Sequence, residues 1–166
     1  PISSTVAAGA FTCGPPANTR MVMVGTYTGS DSQGIYRFRF DETDGSMSAP
    51  ELAAPSTNPS YLAVDHQRSL LFAVNESEVF SGKRQGAVSS FELSAENGEL
   101  RPASQTGSLG EHPCYVSQAA SRRHILVANY TGGNVSVFAV WSAGRLGPAT
   151  SFVQHEGSSV NPRRQS

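Results

Sequence analysis

Apolar and polar side chains alternate with a period of two in several short stretches of the chain. Ile35, Arg37 and Arg39 fall on one side of an extended segment while Tyr36, Phe38 and Phe40 fall on the other. Val135, Val137 and Ala139 alternate in the same way with Ser136, Phe138 and Val140. The runs LLFAV and HILVAN are short, apolar and bounded by turn residues, the pattern of strands buried on both faces. Asp44-Gly45 and Asn97-Gly98 supply hairpin turns between such segments. The pattern predicts an all-β chain.

These segments recur. NPSYLAVDHQRSLLFAVNE, from Asn58 to Glu76, lies without a gap on HPCYVSQAASRRHILVANY, from His112 to Tyr130. At one constant offset Pro59 matches Pro113, Tyr61 matches Tyr115, Arg68 matches Arg122 and Asn75 matches Asn129. After a length change in the next loop, GAVSSFEL lies on GNVSVFAV and NGEL on AGRL. An earlier copy shows GIYRFRFDETDGSM parallel to AVSSFELSAENGEL, and VGTYTG parallel to VANYTG. A repeat of roughly 40 to 50 residues with hairpin turns and four strands per copy predicts a β-propeller of four-stranded blades. A β-sandwich also uses short strands, but has no reason to repeat the same proline, tyrosine and asparagine at fixed spacing. Nothing before MVMVGTYTG resembles the inner strands YLAVD and YVSQA, so the first copy is expected to lack that strand. The chain reads as a fragment holding about three blades of a larger ring, with uncovered outer faces and an end inside a blade-connecting loop.

Composition narrows the partners. The 166 residues carry a formal net charge of -1 with 15% charged residues, which provides no electrostatic field for nucleic acid or an anionic membrane. Sixteen glycines and ten prolines, spread along the chain, suit many turns better than long helices. Cys13 and Cys114 have no metal-ligand spacing and read as two unpaired thiols. Residues 1–20 open with the small, uncharged ISSTVAAGAF and read as the remnant of an export signal or a linker ahead of a domain over 21–166. An exported or periplasmic location follows from the first reading and a cytoplasmic one from the second. No G-x-S-x-G, P-loop or dinucleotide fingerprint occurs. TGGN, between two predicted strands, reads as a hairpin turn rather than a phosphate cradle.

VGTYTG, NPSYLAVD, LLFAVNE, HPCYVS, ILVANYTGGNVSVF and HEGSSVNPRRQ together resemble the seven-bladed propeller lactonase family of the 6-phosphogluconolactonase type, which also includes a lactonizing relative. The resemblance covers nearly all of residues 21–166. It implies a longer protein that opens a sugar lactone with water and needs no metal or organic cofactor. Its partner is then a small lactone or sugar acid, with no nucleic acid and no membrane. A non-catalytic binding propeller and a lactonizing enzyme are the alternatives the same fold allows.

In a propeller the connections between blades and the loops between the two middle strands share one rim of the central channel. That rim should collect Asn58, Glu111 and His112 from connections, Asn75, Glu76, Asn129 and Tyr130 from loops, and His155, Glu156, Asn161, Arg163 and Arg164 from the last connection. Lactone hydrolysis requires a base for water, donors for the developing oxyanion and cations for an acidic substituent. Glu76 and His155 are the candidate bases, and Asn129 and His112 the candidate oxyanion donors. Arg163 and Arg164, with Glu156 and Asn161, are the candidate substrate-binding residues. Against these stand plainer readings of His112 as a turn cap and Glu76 as a solvated loop residue. His66, Arg122, Arg123 and His124 fall on the opposite rim and read as surface.

Overall fold

The computed structural model describes residues 18–157 and Val160. Most of the N-terminal segment expected to be a leader, with Cys13, lies outside the described residues, as do Asn161, Arg163 and Arg164. Three consecutive antiparallel sheets account for nearly all of the rest. The first is β1 (Thr19–Val24), β2 (Gly34–Asp41) and β3 (Glu51–Pro55), paired in that order. The second runs β4 (Leu62–Asp65), β5 (Leu70–Asn75), β8 (Ala87–Leu93) and β9 (Leu100–Gly107). The third runs β10 (Pro113–Gln118), β11 (His124–Asn129), β12 (Asn134–Val140) and β13 (Leu146–Gln154). Both complete copies of the repeat therefore fold as four-stranded blades. Among the described residues the first copy forms three strands. β1 starts at Thr19, ahead of the boundary expected at residue 21, because Thr19 pairs with Asp41 and Arg20 bridges to Glu42 at 3.0 Å.

Side-chain alternation in β5 explains how the blades stack. Leu70, Phe72 and Val74 point into a core shared with Val116, Ile125, Val127, Phe138, Val140 and Leu146 of the third sheet. Leu71 and Ala73 point the other way, into a core with Ile35 and Ala54 of the first sheet. Every residue of β5 is consequently buried, and the second sheet is held between two neighbours in sequence order. This is the radial arrangement of a propeller, not the two facing layers of a sandwich. β11 departs from the expectation of burial on both faces: Ile125, Val127 and Asn129 are buried, while Leu126 and Ala128 between them are half-buried. The third sheet has a neighbour on one side only among the described residues.

The hairpin turn of each blade also grips the blade before it. Gly98, at φ +70°, brings its backbone against Met21, and Gly144, at φ +73°, brings its own against Leu70. Arg37 Nη1 donates to Asn97 O at 2.9 Å, and Ser90 Oγ donates to Gly144 O at 2.7 Å, so these turns are fastened by hydrogen bonds as well. On the far rim Arg68 donates to Arg122 O at 2.6 Å and to Trp141 O at 2.7 Å. Buried Asp65 accepts from Gln118 at 2.7 Å and pairs with Arg122 at 3.4 Å. Arg122 is therefore an inter-blade tie and not a plain surface residue, a role that depends on a partner in the preceding blade.

A close backbone approach also lies at the near rim. A Cβ on Gly86 would sit 2.2 Å from Pro113 Cδ and 2.8 Å from Asn75 O. Gly86→Ala should thus cost about 1–3 kcal/mol of unfolding free energy by overpacking a ring and a backbone that cannot yield. Gly29→Ala, with no atom within 4 Å of its Cβ, should leave stability near wild type. Urea denaturation of both variants checks this, with equal midpoints as the contrary result.

Candidate active site

The loops that follow the second strand of each copy, and the connections that enter the next inner strand, hydrogen-bond to one another along a single rim. Asn58 and His112 both precede proline and both take left-handed backbone, at φ 41° and 51°. That conformation is disfavoured for side-chain-bearing residues and is held here by repeated bonds. The carbonyl of Asn58 accepts from Glu76 N at 3.0 Å, and the carbonyl of His112 accepts from Tyr130 N at 2.8 Å. Each bond fixes the residue at one repeated place on the rim: Glu76 in the second blade and Tyr130 in the third. By the VGTYTG and VANYTG match, Tyr27 fills that place in the first.

Glu76 is not a solvated loop residue. Its Oε2 accepts from Tyr27 Oη at 2.8 Å and from Ser60 Oγ at 2.5 Å, which joins the first two blades across their seam. Its Oε1 receives no donor among the described residues. Asn58 locks the same cluster, accepting from Thr28 N and Oγ1 at 2.9 Å each and donating to Glu76 O at 2.9 Å. The hydrogen bond to Glu76 raises the Tyr27 phenol above its ordinary range, since removing the proton would leave two anions in contact. Cys114, at the repeat position of Ser60, is a free thiol whose Sγ lies 3.8 Å from Ala128 O. Burial, and secondarily the charge of Glu76, raise it too, so it remains a thiol at neutral pH.

Beside Cys114 a groove of about 650 Å³ opens between the β11–β12 turn and the segment after β13. Asn129, Tyr130, Gln154, His155 and Glu156 line it with Cys114. His155 is exposed there, its position set by a bond from its own N–H to Gly133 O at 2.9 Å. Gly133 belongs to TGGN, which forms the β11–β12 hairpin turn, as expected.

Asn129 does not fit the oxyanion-donor role. Both protons of its Nδ2 are engaged, with Ser108 O at 2.9 Å and Asn134 Oδ1 at 2.7 Å. Its buried Oδ1 has no partner among the described residues. At the matching Asn75 the same atom accepts from Ser89 Oγ at 2.6 Å and Gln105 Nε2 at 3.1 Å. Ser136 and Phe152 hold those places by register in the third blade; Ser136 donates to Ser108 O instead, and Phe152 has nothing to donate. Among the described residues His112 does not cap its turn with its ring: its buried Nδ1 has no partner there, and the capping acceptor is its backbone carbonyl. Glu111, next to it, is tied to Arg84 at 2.6 Å.

The rim thus assembles two adjoining groups, Tyr27–Asn58–Ser60–Glu76 and the His155 groove, with Cys114 between them. Tyr27 and Ser60 were passed over in the sequence, although the repeat alignment marks Tyr27 as the counterpart of Tyr130. Also passed over was a two-stranded ribbon, β6 (Val79–Phe80) and β7 (Lys83–Arg84), whose Ser81-Gly82 turn has φ 51° and 74°. That dipeptide between apolar and basic pairs was the available signal. Glu76→Gln replaces the carboxylate with a weaker acceptor, and should move Tyr27 back toward the ordinary phenol range. It should also lower the Cys114 thiol by a smaller step, since burial is the larger cause there. Ultraviolet phenolate titration and iodoacetamide kinetics against pH read the two shifts; an unmoved phenolate curve would contradict the Tyr27–Glu76 bond.

A model of the family described as "Lactonase, 7-bladed beta-propeller" matches residues 21–166. The 6-phosphogluconolactonase of Bacillus subtilis (strain 168) is 33% identical over 142 residues, covering 86% of this chain and 39% of its own length. The solved periplasmic gluconolactonase of Pseudomonas aeruginosa superposes with a TM-score of 0.79 at 37% identity, over 87% of this chain and 41% of that one. A candidate 6-phosphogluconolactonase of Bacteroides fragilis NCTC 9343 superposes with a TM-score of 0.81 at 33% identity, over 93% of this chain and 41% of its own. The chain spans about two fifths of the length of these relatives.

Proposed function

The chain belongs to the seven-bladed β-propeller lactonase family, and on that premise we propose that the protein it forms part of hydrolyses a six-membered sugar lactone of the 6-phosphogluconolactonase type. The observation that carries this reading is the convergence of His155 and Glu156 on a rim groove next to the Glu76 cluster. Water attacks the lactone carbonyl while a base removes its proton. The tetrahedral oxyanion collapses, and the ring oxygen leaves as a hydroxyl of the open acid. His155 is the first choice of base, because its ring is exposed at the groove with no hydrogen bond from the protein among the described residues. Glu76 is the second, through its free Oε1. His112 is the remaining side-chain donor for the oxyanion, and Arg163 with Arg164 hold the anionic substituent, with Glu156 and Asn161 on sugar hydroxyls.

A second reading keeps the chemistry and removes the phosphate. The similarity to a periplasmic gluconolactonase and the uncharged segment ISSTVAAGAF support an exported protein acting on the unphosphorylated lactone. A pH-stat assay of the complete protein on 6-phosphoglucono-1,5-lactone and on glucono-1,5-lactone separates the two. His155→Ala should lower kcat by about 10²–10⁴, and Arg164→Ala should raise KM selectively for the phosphorylated substrate. Wild-type rates in both variants would remove these residues from the mechanism.

A further inference from the structure

Tyr61 and Tyr115 occupy the same place in consecutive blades, Tyr61 just before β4 and Tyr115 at the bulge near the start of β10. Both therefore stand at the entry of an inner strand, next in sequence to Ser60, which donates to Glu76, and to Cys114. Their ring centroids are 4.6 Å apart and their planes are tilted by 49°, so the rings pack against each other at an angle. They are 40% and 45% exposed. Two adjoining aromatic rings left half in water at a channel mouth form an apolar surface that a ligand covers at a gain.

The geometry points to a sugar-ring subsite in which Tyr61 and Tyr115 stack against the apolar C–H face of a six-membered ring and Glu76 Oε1 accepts from its hydroxyls. This deepens the lactonase reading and rests on it. The chemistry of the wall selects the occupant. A hydroxylated ring supplies both an apolar face for the tyrosines and O–H donors for a carboxylate that already holds two donors on its other oxygen. A phosphate or carboxylate brought to the same place would meet the negative charge of Glu76. The acidic substituent accordingly points away from the tyrosines, and these residues read the ring and not its charge. Tyr61 and Tyr115 are specificity-determining residues, with no part in proton transfer.

Binding of 1,5-anhydro-D-glucitol, a neutral and unreactive six-membered sugar ring, to the complete protein tests this by NMR titration. Tyr61→Leu and Tyr115→Leu keep apolar bulk but remove the flat face, and each should weaken binding about tenfold, while Tyr115→Phe should remain within about twofold of wild type. In lactone hydrolysis the Leu variants should raise KM by the same factor with kcat nearly unchanged. Leu variants that bind as tightly as wild type would overturn the subsite. If either Leu variant fails to fold, the ring-proton resonances of Tyr61 and Tyr115 in the wild type decide, since saturating sugar must shift them and unmoved resonances sink the proposal. A wild type that binds the sugar on these rings but hydrolyses no lactone would defeat the catalytic reading and leave the subsite standing.

Discussion

A sheet with apolar side chains on both faces must be covered twice, and β5 is where this chain meets that demand. Its odd and even residues belong to different cores, one shared with the first sheet and one with the third. Burial of a single large apolar side chain contributes about 1.5–3 kcal/mol, so the alternation in six residues fixes the blade order more firmly than any polar contact at the seams. The polar contacts set the angle. Hairpin turns built around Gly98 and Gly144 leave no side chain where each turn meets the blade before it, and Arg37, Ser90 and Arg68 fasten those approaches through backbone carbonyls.

Stacking in this order carries the same loop of every blade to the same rim. The backbone there repeats from the second blade to the third: a left-handed residue before proline, whose carbonyl accepts from the residue just after that blade's second strand. Side chains are freed by that repetition. Glu76 fills the place that tyrosine holds as Tyr27 and Tyr130 in the other two copies, so a carboxylate is set between two hydroxyl donors without any change in the fold. Strain at Asn58 and His112 is offset by these bonds and serves to aim the loop residues at the channel mouth.

The repeat was legible because its marks are local. Pro59 and Pro113, the turn glycines and the period-two strands each act within a few residues, and the four-stranded blades followed from them. What the sequence concealed depends on distant partners. Arg122 reads as surface until Asp65 of the preceding blade is placed beside it. Asn129 reads as a free donor until Ser108 and Asn134 take its protons. HILVAN has the composition of a twice-covered strand, but its coverage is decided by whether another blade lies beyond it. Ser60 lies within NPSYLAVD, but its bond to Glu76 becomes visible only once β4 is paired with β5.

The contrast between Asn75 and Asn129 extends this point to function. Both side chains tie the connection that precedes their blade, and both donate inward. Among the described residues only Asn75 has donors on its oxygen, Ser89 and Gln105, whereas Ser136 donates elsewhere and Phe152 stands where Gln105 would be. A buried amide oxygen without a donor costs about 1–3 kcal/mol, and at the wall of the His155 groove Asn129 Oδ1 has none among the described residues. In a chain built by repetition, a departure that weakens a blade stands out against a copy that kept the stronger arrangement. The departure here falls on the blade that lines the His155 groove, while Asn75 in the second blade keeps both of its donors. Stability and site formation thus draw on the same repeated positions, and the blades differ in which of the two each position serves.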